Sequence, residues 1–242
     1  MNNKLVNRSY IQDISLLFFS TLLIIVADAQ EISYRRPEVT NKWKELKRQV
    51  KTDSSKRMLE LKQVIPGLVY DLKYASTDNF MHRRMYPENT TTTFLRAPAA
   101  MALQKVQSEL NIKELGIKIF DAYRPYSVTV KFWELLKDER YVANPSKGSV
   151  HNRGLAVDLT IINLNTGKEL NMGTGFDNFS DSAHQSFSKF HEDILQNRLL
   201  LKSVMEKYGF KAYELEWWHY FIPEASKYEI LDIDFRKLRK NL

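Results

Sequence analysis

The sequence predicts an α+β fold, a single compact domain with a central, mainly antiparallel sheet flanked by helices. Apolar residues at helical spacing and segments of strand-like alternation follow one another without the strand–helix–strand rhythm of a doubly wound sheet. From about Val64 onward turn signals separate these segments, and no internal repeat or low-complexity tract interrupts them. The chain has 242 residues, 43% of them hydrophobic and 27% charged, which is enough apolar side chain for one substantial core.

Taken from the N-terminus, residues 1–29 stand apart from that core. Lys4 and Arg8 precede an apolar run over residues 14–26, and Ala27-Asp28-Ala29 supplies a small-x-small cleavage site. The run is shorter than the roughly 20 residues a membrane-spanning helix needs, so the segment reads as a signal peptide cleaved after Ala29. The expectation is an exported protein of the bacterial periplasm or cell envelope, with no stable membrane insertion after cleavage. Cysteine is absent, so the fold relies on no disulfide. Residues 30–63 read as a basic, partly helical extension, since positions 35–62 hold ten Lys and Arg against four Asp and Glu. No aromatic platforms are interleaved there, so a solvated surface is expected and no nucleic-acid site.

Residues 64–242 form the main domain. Pro98 ahead of residues 99–110 predicts a helix with proline in its first turn. Residues 117–121 (IKIFD) alternate like a short strand, and residues 127–137 read as a helix capped by Ser127. Residues 154–162 (GLAVDLTII) are β-branched and apolar, the composition of a buried strand. Over residues 182–208 the spacing of Phe187, Phe190, Ile194, Leu201, Val204, Met205 and Tyr208 predicts a helix closed by Gly209. Residues 213–222 (YELEWWHYFI) predict an aromatic strand.

Two of the five histidines have chemical company. His151 lies seven residues before Asp158, with Gly154 permitting a turn between them. On the following strand Ala156, Asp158 and Thr160 share a face, and Leu155, Val157 and Leu159 face the other way. His219 follows Glu216 by three positions in an apolar stretch, where an unpartnered carboxylate is expensive and calls for a partner. A regular strand aims positions 216 and 219 at opposite faces, so a bulge or a strand end is implied. Two imidazoles and a carboxylate make a three-ligand set that suits catalytic zinc, Zn2+, one per chain. Beside such a site Glu216 is the candidate general base and acid. Arg124, directly after a predicted strand and before Pro125, is the candidate donor to a developing oxyanion.

These stretches also match a known family. The SxHxxGxAxD stretch (positions 149–158), the ExWH tetrad (216–219) and the D-x-Y-R-P element (121–125) resemble the zinc D-alanyl-D-alanine dipeptidases of the vancomycin-resistance type. Positions 71–80 (DLKYASTDNF) resemble the family's DxKYAxxDNF segment, and positions 172–177 (MGTGFD) with Ser182 and His184 resemble MGxxFD…SxH. The resemblance implies zinc on His151, Asp158 and His219, with Glu216 and Arg124 in the roles above. It further implies Tyr74 and Asp177 at the amino end of a small D,D-dipeptide and Ser149 near its carboxylate. The expected reaction is hydrolysis of D-Ala-D-Ala. A D,D- or L,D-carboxypeptidase trimming longer wall peptides, and a zinc-bearing binding module without catalysis, stand as rivals.

Overall fold

The computed structural model describes residues 34–241; the apolar run and the signal-peptide reading of residues 1–29 lie outside them. The elements in chain order are β1 (Val39–Thr40), α1 (Trp43–Thr52), β2 (Met58–Glu60), α2 (Leu61–Val64), β3 (Val69–Tyr70) and β4 (Phe94–Arg96). Then follow α3 (Ala97–Asn111), β5 (Leu115–Asp121), α4 (Tyr126–Leu135), β6 (Ala156–Asn163) and α5 (Glu192–Lys207). β7 (Lys211–Ala212), β8 (His219–Phe221), β9 (Ile230–Leu231) and α6 (Phe235–Asn241) complete the fold.

The central sheet has the order β3-β5-β6-β8-β7. Only the β3–β5 pair is parallel; β5–β6, β6–β8 and β7–β8 are antiparallel. This is the α+β arrangement with a mainly antiparallel sheet that the sequence predicts. Helix α3 begins with Pro98 in its first turn, where the missing N–H is no loss. It buries Ala99, Leu103, Val106 and Leu110 at helical spacing against the sheet core. From inside that helix Gln107 accepts the backbone N–H of Ile117 at 2.9 Å, tying α3 to β5. The core-facing residues of β6, Val157, Leu159 and Ile161, join the same cluster. Residues 39–64 supply β1, α1, β2 and α2 to this folded unit: β1 pairs with β9, and Leu46 of α1 is buried. Among the described residues no helix is long and apolar enough to cross a membrane.

Three local expectations need correction. The helix expected over residues 182–208 starts only at Glu192. Arg198, buried within that helix, donates to the carbonyls of Met172, Ser182 and His184 at 2.7, 2.9 and 3.1 Å, and so holds the preceding segment open as a loop. Ser127 does not cap α4; it sits inside the first turn and gives its hydroxyl to Asp232 at 2.7 Å. The strand expected over residues 213–222 is a turn up to Trp218 and a strand only from His219.

Candidate metal centre and its cavity

The sheet register explains why the candidate ligands meet. Asp158 of β6 pairs with Asp121 of β5 on one side and with His219 of β8 on the other. A register shift between Ile119 and Asp121 lets β5 end beside Asp158. His151 reaches the same place from a 3-10 turn, His151–Arg153, that runs into β6. That turn closes on Gly154, which adopts φ +67° with its Cα facing Met58 and Arg96. A Cβ there would come within 3.0 Å of the Met58 side chain and 3.2 Å of Arg96, and left-handed backbone disfavours any L side chain. Gly154→Ala is therefore expected to lose about 1–2 kcal/mol of stability, read as a lowered melting temperature.

The donor atoms of His151, Asp158 and His219 all lie within 4.8 Å of one another. His151 Nε2 is 3.2 Å from His219 Nδ1 and 3.4 Å from Asp158 Oδ2, and His219 Nδ1 is 2.8 Å from Asp158 Oδ1. Ligands at zinc distance on a tetrahedron are separated by about 3.3 Å, so this donor set fits the ion. The remaining nitrogen of His151 supports the fit. Its Nδ1 donates to the Ala122 carbonyl at 2.7 Å, which leaves Nε2 bare and turned toward Asp158. Burial would raise the Asp158 carboxyl, but His151 and His219 overcome it and hold Asp158 well below the usual carboxylate range. Burial would lower His219; the adjacent Asp158 and Glu216 carboxylates outweigh it and raise the imidazole.

Glu216 sits in the turn before β8, its Oε2 3.8 Å from His219 Nδ1. Burial pushes its carboxyl up to about 7, against the pull of His219. Arg124 is also buried. Its Nε and Nη2 both donate to Asp121 Oδ2, at 3.0 and 2.8 Å, and Nη2 is 3.9 Å from Asp158 Oδ2. The guanidinium lies beside the adjacent rings of Tyr74 and Phe132, 5.1 and 4.8 Å from their centroids. Burial would lower its value, but Asp121 raises it further, so the cation persists. Ser149 accepts the backbone N–H of His151 at 3.1 Å, which leaves its hydroxyl proton free.

On the other side, Asp177 accepts Tyr74 Oη at 3.0 Å and the Phe80 N–H at 3.3 Å. Burial pushes its carboxyl up to about 8. Among the described residues it has no cationic partner. All eight candidates, Tyr74, Arg124, Ser149, His151, Asp158, Asp177, Glu216 and His219, line one cavity of about 300 Å³. The remaining histidines stay outside it, and His191 merely pairs with Asp193 on the surface.

Two contributors escaped the sequence reading. Asp121 anchors Arg124, and besides the guanidinium it accepts the Tyr86 hydroxyl and the Ala122 N–H. Its i, i+3 spacing from Arg124 was the available signal. The Ala122 carbonyl that orients His151 is backbone, which leaves no trace in residue identity. The cavity's aromatic wall also went unread. Tyr141 stacks on Phe179 at 4.3 Å, and Phe80 meets Phe179 edge-on at 5.0 Å.

Comparison with known proteins points the same way as the geometry. The D-Ala-D-Ala dipeptidase family, peptidase M15, matches residues 54–238. A D-alanyl-D-alanine dipeptidase of Escherichia coli (strain K12) is 34% identical, over 74% of this chain and 91% of its own. One of Enterococcus faecium is 32% identical, over 68% of this chain and 90% of its own. A solved structure of the LdcB LD-carboxypeptidase shares 20% identity, with a TM-score of 0.40, over 76% of this chain and 78% of that one.

Proposed function

Since the chain belongs to the D-Ala-D-Ala dipeptidase family of zinc peptidases, we propose that it hydrolyses the free dipeptide D-Ala-D-Ala to two D-alanines. The observation that carries this reading is Asp177, a half-buried carboxyl at the cavity wall with two hydrogen-bond donors and, among the described residues, no cation. A free ammonium group supplies the missing charge. An acylated or longer peptide presents a neutral amide instead and leaves the carboxylate unmatched.

His151, Asp158 and His219 would hold one zinc ion. When bound, zinc supplies Lewis acidity, acidifying water and polarising the scissile carbonyl. Glu216 accepts the proton of the attacking water and passes it to the departing nitrogen; a carboxyl raised to about 7 is suited to both transfers near neutrality. Arg124 stays charged and its orientation is fixed by Asp121, so it meets the developing oxyanion without reorganising. The free Ser149 hydroxyl proton donates to the substrate carboxylate. Tyr74 remains protonated, since burial and Asp177 raise its value, and it steadies Asp177 against the ammonium. The composition of residues 1–29 supports action in the bacterial envelope after export.

The test is relative turnover of D-Ala-D-Ala and its N-acyl derivative by the purified chain. A higher kcat/KM on the free dipeptide is expected; a higher value on the acylated one would favour the carboxypeptidase reading and remove this one. Asp177→Asn is expected to lower kcat/KM on the free dipeptide roughly 10- to 100-fold, the worth of a charged hydrogen bond. Its stability effect has a definite sign. The raised carboxyl of Asp177 contributes stability that is full below about pH 4 and lost as pH rises through about 8. Asp177→Asn should therefore melt above the parent at pH 9 and lose that advantage at pH 4.

A further inference from the structure

Charge is distributed unevenly along the chain. Residues 34–62 hold ten Lys and Arg against four Asp and Glu, and residues 235–242 hold four against none. Residues 63–234, which contain the whole cavity, hold twenty against twenty-two. The fold gathers the two basic ends: β1 pairs with β9, and α1 packs on α6. Leu46 of α1 and Phe235 and Leu238 of α6 share one core cluster, so the basic residues of both helices turn outward. On α1, Lys44, Lys47, Arg48 and Lys51 are exposed at i, i+3, i+4 and i+7, one stripe of a helix. On α6, Arg236, Lys237, Arg239 and Lys240 are exposed.

Elsewhere in the domain, nine of the twenty Lys and Arg over residues 63–234 take part in ion pairs. There, Lys73 pairs with Asp71 and Asp78, Lys118 with Glu169, Arg140 with Asp138 and Lys207 with Glu109. Among the described residues, none of the eight on α1 and α6 takes part in an ion pair. Eight like charges left unmatched on two adjoining helices repel one another, and a surface of the opposite sign relieves that repulsion. The zwitterionic dipeptide carries no net charge to be steered, so the catalytic reading leaves this face without a role.

We propose that the α1–α6 face docks peripherally on an anionic phospholipid bilayer. A bilayer presents many negative charges in a plane, matched to a two-helix face, and attracts clustered Lys and Arg within a Debye length.

The test is co-sedimentation of the mature chain, from Gln30 onward, with vesicles of phosphatidylcholine alone and with about one-third phosphatidylglycerol, at roughly 0.05 M and 0.5 M salt. The two vesicle types differ only in surface charge, so their binding ratio reports the charged face. That ratio is expected to be roughly tenfold or more at low salt and to collapse toward unity at high salt. Lys44→Glu with Lys47→Glu and Lys51→Glu should abolish it, and so should Arg239→Glu with Lys240→Glu on the other helix; unchanged far-UV spectra and melting temperatures certify folding. Equal binding to both vesicle types would overturn the proposal, as would charge-reversed variants that bind like the parent. Tighter binding to soluble polyphosphate than to the anionic vesicles would overturn it in favour of a polyanionic polymer.

Discussion

Replacing Glu216 by glutamine is expected to lower kcat on D-Ala-D-Ala by roughly 10²- to 10⁴-fold while the chain keeps one zinc ion. The amide preserves the shape of the turn before β8, where backbone bonds from Glu216 N–H to Tyr213 and from His219 N–H to Glu216 fix the geometry. Its side chain cannot take a proton. Because Glu216 contacts the ligand set only at 3.8 Å from His219 Nδ1, the metal site survives the change. Kinetics and metal analysis on the same preparation check both halves. Turnover within a few-fold of the parent would remove Glu216 from proton transfer, and loss of zinc would make it a ligand.

Arg124→Met is expected to have the largest combined effect. Asp121 is fully buried and receives two of its hydrogen bonds from this guanidinium. Removing one partner of a buried ion pair leaves an uncompensated charge, which costs about 3–5 kcal/mol. The lost oxyanion donor lowers kcat by roughly another 10²- to 10³-fold. The two consequences separate in a double variant. Arg124→Met with Asp121→Asn should regain most of the melting temperature, since no buried charge is then orphaned, yet remain catalytically impaired. Recovery of activity along with stability would make Arg124 a structural brace alone.

What could be read from the sequence and what could not divide along physical lines. His151, Asp158, Glu216 and His219 were legible because each stands near a second polar group in an apolar setting, where burial demands a partner. The strand carrying Asp158 and the proline-led helix α3 were legible from local spacing. The start of α5 was not, because the apolar residues before it follow helical spacing while Arg198 binds their carbonyl neighbours from a distance. Nor was the end of the turn at Trp218, although Glu216 and His219 acting together required an irregularity there. The row Asp121–Asp158–His219 across three strands depends on a register shift between Ile119 and Asp121, a long-range pairing that composition does not encode.

The most direct test of the central claim is metal content and dipeptide turnover, measured together on the parent chain and on His151→Ala, Asp158→Ala and His219→Ala. One zinc ion per parent chain is expected, with zinc binding weakened severely and turnover lost in each variant, and turnover of the parent abolished by chelation and restored by added zinc. Stoichiometric zinc in all three variants, or full turnover after the parent has been stripped of metal, would contradict it.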